Sequence, residues 1–152
     1  MSLGDKIWVM NENLIKLEIR SHPRFLNLVR QVAFELARLS GFNIEQAKEV
    51  RLALDEACTN VITHSYHGDY TRPIIINFYL HHDRLEALIQ DFGLVVEPAR
   101  IKSRPLEDFK PGGLGVYIMK KMMDEVEYKP TEEGPCLKLI KYKDRRVKSH
   151  GY

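Results

Sequence analysis

Two stretches of this chain constrain its fold more than any other, because each reads as a pair of strands with only a turn between them. In "IIINFYLHHDRLEALIQD" (74–91), β-branched and aromatic residues cluster on both sides of the polar pair His82-Asp83, and strands joined so closely pair antiparallel. Near the C-terminus, "EVEYK" (125–129) and "CLKLIKY" (136–142) flank the turn "PTEEGP" as a closing hairpin. One more strand is marked by "NLIKLEIR" (13–20), where Ile15, Leu17 and Ile19 alternate with Lys16, Glu18 and Arg20. Strands that come as hairpins, not in alternation with helices, argue against a doubly wound sheet. The expected class is α+β, a two-layer sandwich in which a mixed, mostly antiparallel sheet carries helices on one face.

Helical segments complete the order β-α-α-β-β-loop-α-β-β. Ser21 or His22 caps the first, Pro23 suits its first turn, Phe25, Leu28, Val29, Val32, Leu36 and Leu39 keep helical spacing, and Gly41 ends it. Asn43, with Gln46 three residues on, resembles a capping box that opens a second helix over roughly 44–65. A third, over about 114–124, follows a connection from about Phe92 to Gly113 that contains Pro98, Pro105, Pro111 and Gly112. Connections of that length in a compact domain are generally lids or binding loops.

With 152 residues and 44% hydrophobic content the chain is about one domain with a real core. The expected division is an N-terminal extension or first strand over 1–12, the domain over 13–143 and a basic tail over 144–152. A net charge of +2, from 23 basic and 21 acidic residues, is too balanced to point to nucleic acid as the main partner. Cys58 and Cys136 form neither a disulfide framework nor a ligand cluster, and no run reaches the length of a membrane span or the shape of a signal peptide. The expected location is therefore the cytoplasm. His81 and His82 lack the spaced partners of a metal site.

One feature of the second helix is at odds with a plain core role. Val50, Ala53, Leu54, Ala57, Cys58 and Val61 form one apolar stripe, while Glu56, Asn60 and His64 recur every fourth residue along its shoulder. A carboxylate and an amide so spaced face the same space at the rim of the core, about 6 Å apart along the axis. Periodicity alone leaves two readings open. Either the pair faces a ligand, or Glu56 joins Asp55 on the solvated face and Asn60 bonds a neighbouring loop.

Two further stretches carry possible chemistry. In "KPGGLGVYIMKKMMDEV" (110–126), Gly112, Gly113 and Gly115 straddle a helix start, where free backbone N–H groups and the helix dipole favour an anion. This is neither G-x-G-x-x-G nor the P-loop, and an ordinary helix entry has the same look. In "IQDFG", Asp91 at a strand end can accept from an amino group, with Gly93 letting a flat ring lie close; a plain Asp-x-Gly turn is the alternative.

Taken in order, E-x-x-x-N on a helix, D-x-G after a strand, and G-G-L-G opening a helix after a long loop resemble the GHKL ATPase superfamily, which includes gyrase and the histidine kinases. The resemblance is nearest to the small anti-sigma factor serine/threonine kinases and covers nearly the whole chain. "ALDEACTNVITHSY" looks like the family's N box, "QDFG" like its first glycine box and "GGLGVYIMKKMMDEV" like its second.

The resemblance implies ATP and Mg²⁺ as cofactors. By matching position, Asn60 is similar to the ligand of the Mg²⁺ that bridges the phosphates, and Glu56 to the general base that takes the proton of an attacking hydroxyl. Asp91 matches the acceptor of the adenine amino group, with Gly93 beside the base. Gly112, Gly113, Leu114 and Gly115 match the phosphate-facing lid. His64 is read as packing or capping. Two departures stand out: Leu94-Val95 follow Gly93 where the family commonly has a second glycine, and Pro135 and Cys136 stand where relatives often carry a threonine. The implied activity is Mg-dependent transfer of the ATP γ-phosphate to serine or threonine of a partner protein, an anti-anti-sigma-like regulator. The implied partners include a sigma factor and a second copy of the chain, with no nucleic acid and no membrane. The alternative is a nucleotide-gated module that controls a partner without catalysis.

Overall fold

The fold is seen in a computed structural model whose described residues are 13–93 and 114–144. Five strands form one sheet: β1 (Leu14–Arg20), β2 (Pro73–Leu80), β3 (Arg84–Asp91), β4 (Glu125–Pro130) and β5 (Pro135–Tyr142). Their spatial order is β1-β2-β3-β5-β4. Every pairing among the described residues is antiparallel, in keeping with the expected α+β sandwich with a mostly antiparallel sheet. The reason is that each strand reaches its neighbour either by a hairpin or from the opposite end of the sheet, so no parallel crossover arises.

Three helices cover one face. A short 3-10 turn, Pro23–Phe25, with His22 Nδ1 accepting from the Arg24 N–H, leads into α1 (Leu26–Leu39). Helix α1 closes with the Gly41 N–H bonded to the Arg38 carbonyl and the Phe42 N–H to that of Ala37, a Schellman ending that needs the positive φ of Gly41. The box of Asn43 and Gln46 forms in both directions and starts α2 (Ile44–Asn60). Helix α3 (Leu114–Met122) precedes the closing hairpin.

Alternation along the strands decides which side is buried. Ile74, Ile76 and Phe78 of β2, Leu85, Ala87 and Ile89 of β3, and Leu137 and Leu139 of β5 meet Val50, Leu54 and Ala57 of α2 and Val116 and Met119 of α3 in one core. On α1 the buried face is Leu26, Val29, Ala33, Leu36 and Ala37, whereas Leu28 and Leu39 are 47% and 74% exposed. The expected stripe is thus turned: small alanines let α1 approach α2, and an Arg30–Asp55 ion pair at 2.9 Å bridges the two helices.

Candidate functional site

The second helix does not stop where its α-geometry does. Val61–Ser65 continue it as a π-turn, closed by Tyr66 N–H to the Val61 carbonyl at 2.9 Å. Widening a helix by one residue re-aims everything after it, and such insertions cluster at functional sites. Here it brings Ser65 against the end of β3, where its hydroxyl donates to Asp91 Oδ1 at 2.8 Å.

Asp91 is buried at 6% exposure, the last residue of the β3 face that packs under the helices. Its Oδ1 also accepts from the Gly93 N–H at 2.9 Å, while Oδ2 accepts from none of the described residues. Burial pushes this carboxyl up from its ordinary range, opposed by the Gly93 N–H, the Ser65 hydroxyl and the Arg72 charge. A Cβ on Gly93 would lie 2.1 Å from Ser65 Oγ and 3.0 Å from Asp91 Oδ1, so glycine is required there to admit the serine.

The strand end is clamped from two sides. Tyr66 donates its hydroxyl hydrogen to the Pro73 carbonyl at 2.5 Å and accepts from the Phe92 N–H at 2.7 Å. Arg72 lies over the Tyr66 ring, 4.8 Å from its centroid, and donates to the Phe92 carbonyl. On the other side, Gln90 Nε2 donates to the carbonyls of Asp91 (2.8 Å), Gly134 and Pro135 (both 3.2 Å). Gly134 packs so closely that a Cβ on it would stand 2.4 Å from the Asp91 carbonyl oxygen.

Glu56 and Asn60 lie on the last two turns of α2. Asn60 is buried at 6% exposure, and Glu56 is half-buried. Asp55, the neighbour with which Glu56 was to share a solvated face, is taken by Arg30; Glu56 has no hydrogen-bond or ion-pair partner among the described residues. His64 is half-buried inside the π-turn. Leu114 opens α3, and Gly115 is buried in its first turn. Gly112, Gly113 and the rest of the 94–113 connection lie outside the described residues, as do residues 1–12 and 145–152.

The structure therefore brings together the π-turn that continues α2 and Asp91-Gly93. Cys136 pairs with Gln90 and so stands on the sheet face away from Asp91. Tyr128 of β4 instead shares the helix-covered face; burial, with the Asp91 charge adding to it, pushes its hydroxyl up to about 12. Ser65, Tyr66, Arg72, Gln90 and Gly134 were not singled out from sequence. The run "THSYHGDYTRP", dense in polar and aromatic residues, is the signal that could have found the first three.

Comparison with known proteins bears on this arrangement. The family model described as a histidine kinase-like ATPase domain matches residues 19–141. The protein named serine-protein kinase RsbW of Halalkalibacterium halodurans is 29% identical over 139 residues, covering 86% of this chain and 84% of that protein. The protein of the same name from Bacillus subtilis is 26% identical over 140 residues, covering 87% of each. Among solved structures, the RsbU and RsbW domains of a Mycobacterium tuberculosis protein superpose with a TM-score of 0.59 at 16% identity, over 84% of this chain and 31% of the other, a likeness of fold. Motifs, topology and these matches agree: the chain belongs to the histidine kinase-like ATPase domain family, within the GHKL superfamily and near its anti-sigma factor kinases.

Proposed function

We propose that this protein is a Mg-dependent serine/threonine protein kinase that transfers the γ-phosphate of ATP to a partner regulator. The observation that carries the reading is the Ser65–Asp91 hydrogen bond, because it ties the helix bearing Glu56 and Asn60 to the strand end bearing Asp91. The first two motifs are thereby joined at one rim of the sandwich.

The residues present fit both cofactors. An ionised carboxylate is an acceptor only, so Asp91 Oδ2 favours the amino group of adenine over the carbonyl of guanine. The Asn60 amide oxygen is a hard oxygen donor of the kind Mg²⁺ takes alongside water and phosphate oxygens. When bound, the metal neutralises charge on the phosphates. The first turn of α3, which begins at Leu114 and Gly115, offers the positive end of a helix, a setting suited to phosphate.

In the transfer, the hydroxyl oxygen of the partner's serine or threonine forms a bond to the γ-phosphorus as the bond to the β–γ bridging oxygen breaks and ADP leaves. Glu56, a carboxylate that no described residue occupies, takes the hydroxyl proton. Phosphoryl transfer asks mainly for positioning and charge stabilisation, which these groups supply. The partner is an anti-anti-sigma-like regulator, with a sigma factor as a second protein bound. The chain works in the cytoplasm as a homodimer.

The test is transfer of labelled γ-phosphate to candidate regulators by wild type and Glu56→Gln, with nucleotide binding measured in parallel. A loss of about 10²-fold or more in the variant at unchanged ATP affinity is expected. Equal transfer by both removes Glu56 as base; ATP binding with no transfer by either leaves the nucleotide-gated module instead.

A further inference from the structure

We propose that Ser65 is a positioning residue for base recognition: it and the Gly93 N–H hold Oδ1 of Asp91, so that Oδ2 alone is turned to the exocyclic amino group of a purine. This rests on the ATP reading above and deepens it. An aspartate with one oxygen held by two donors, at 2.8 and 2.9 Å, has a fixed χ2, whereas a carboxyl held at one point can rotate. Fixing it before the ligand arrives removes a rotamer loss from the binding step.

The surroundings are built around this hydroxyl. The π-turn at Val61–Ser65 places it, and Gly93 has no side chain because the Ser65 oxygen occupies that space, 2.1 Å from where a Cβ would be. The charged and titratable groups around Asp91 are Arg72 from the segment before β2, Tyr66 after the π-turn and Tyr128 of β4, with Cys136 of β5 on the opposite sheet face. None of these makes a hydrogen bond to its carboxylate. Ser65 is the one side chain among the described residues that does.

The experiment measures dissociation constants of the full chain for Mg-ATP and for Mg-purine riboside triphosphate, which lacks the amino group, with wild type, Ser65→Ala, Asp91→Ala and the double variant. Wild type is expected to favour ATP. Ser65→Ala is expected to weaken ATP about ten- to a hundredfold, the usual worth of a hydrogen bond to a charged group, and to leave the amino-free analogue within about twofold. In the Asp91→Ala background, Ser65→Ala should change neither affinity further. An equal loss for both nucleotides would make Ser65 structural only, and no loss for either would show that Asp91 needs no second donor; each overturns the proposal while the ATP site stands. Wild type that binds neither nucleotide overturns the proposal together with the reading beneath it. The double-variant comparison is read on melting-controlled protein, so a folding defect in one variant does not pass for a binding effect.

Discussion

Replacing Gly134 by alanine isolates a contact on which the position of Asp91 depends. Gly134 has φ +148°, a backbone state that costs an L-residue about 1–2 kcal/mol. Its added Cβ would stand 2.4 Å from the Asp91 carbonyl oxygen and 3.2 Å from the Phe92 Cα, against an ordinary contact beginning at 3.4 Å. Backbone meets backbone, so the two must part by roughly 1 Å, and the Gln90 hydrogen bonds to the Gly134 and Pro135 carbonyls, both at 3.2 Å, are stretched beyond use. At about 1 kcal/mol each, their loss brings the total to about 3–4 kcal/mol. Gly41 is the matched control: its φ is +99°, yet nothing lies within 4 Å of an added Cβ, so Gly41→Ala should cost only the backbone share. With about 3 °C per kcal/mol for a domain of this size, Gly134→Ala should melt about 10 °C below wild type and Gly41→Ala about 3–6 °C below. ATP affinity should fall in the first and hold in the second. Thermal denaturation followed by circular dichroism, with nucleotide titrations at low temperature, reads both. Equal melting points for the two variants would refute the reasoning.

Further perturbations follow from the same contacts. Asp91→Asn keeps an oxygen for Ser65 and Gly93 but removes a charge whose burial is unfavourable, so it should melt at or above wild type at pH 7 and lose ATP binding, since an amide NH₂ would face the adenine amino group. The sign with pH is set by the raised pKa of Asp91 in the fold. Without ligand, its burden on wild type is absent below the unfolded value of 3.8 and sets in as pH rises to the folded one, so the gap between variant and wild type should close on acidification. Wild type melting above Asp91→Asn at pH 7 without nucleotide would contradict this. Tyr66→Phe leaves the Phe92 N–H and the Pro73 carbonyl without their partner, and should cost about 2–3 kcal/mol by denaturant titration. Lys141→Met removes a buried cation that donates to the Met122 carbonyl at the end of α3 at 2.6 Å and approaches Glu49 of α2 at 3.4 Å. A loss of about 1–3 kcal/mol is expected, and hydrogen exchange should show it concentrated in α3.

The hairpins, the capping box at Asn43 and the helix stop at Gly41 were legible because each is decided by neighbours in sequence. The buried face of α1 was not, since Ala33 and Ala37 mark it by smallness rather than by hydrophobicity, while Leu28 and Leu39 carry the stronger signal and lie outside. The β1–β2 and β3–β5 pairings needed the sheet order, which no single strand encodes. Glu56, Asn60 and Asp91 could be picked out because their spacing has a chemical meaning. Ser65 could not: it continues a helical pattern, and only tertiary packing turns Val61–Ser65 into a π-turn that presents it to Asp91. Gly134 looked like any turn glycine until the Asp91 backbone was found against it.

Crystals grown with Mg²⁺ and a non-hydrolysable ATP analogue test the nucleotide site most directly. The expected density has the adenine amino nitrogen about 3 Å from Asp91 Oδ2, a metal about 2.1 Å from the Asn60 amide oxygen, and the Glu56 carboxylate facing the γ-phosphate. A nucleotide bound elsewhere, or Glu56 and Asn60 turned away from the phosphates, would contradict the site and the kinase chemistry built on it.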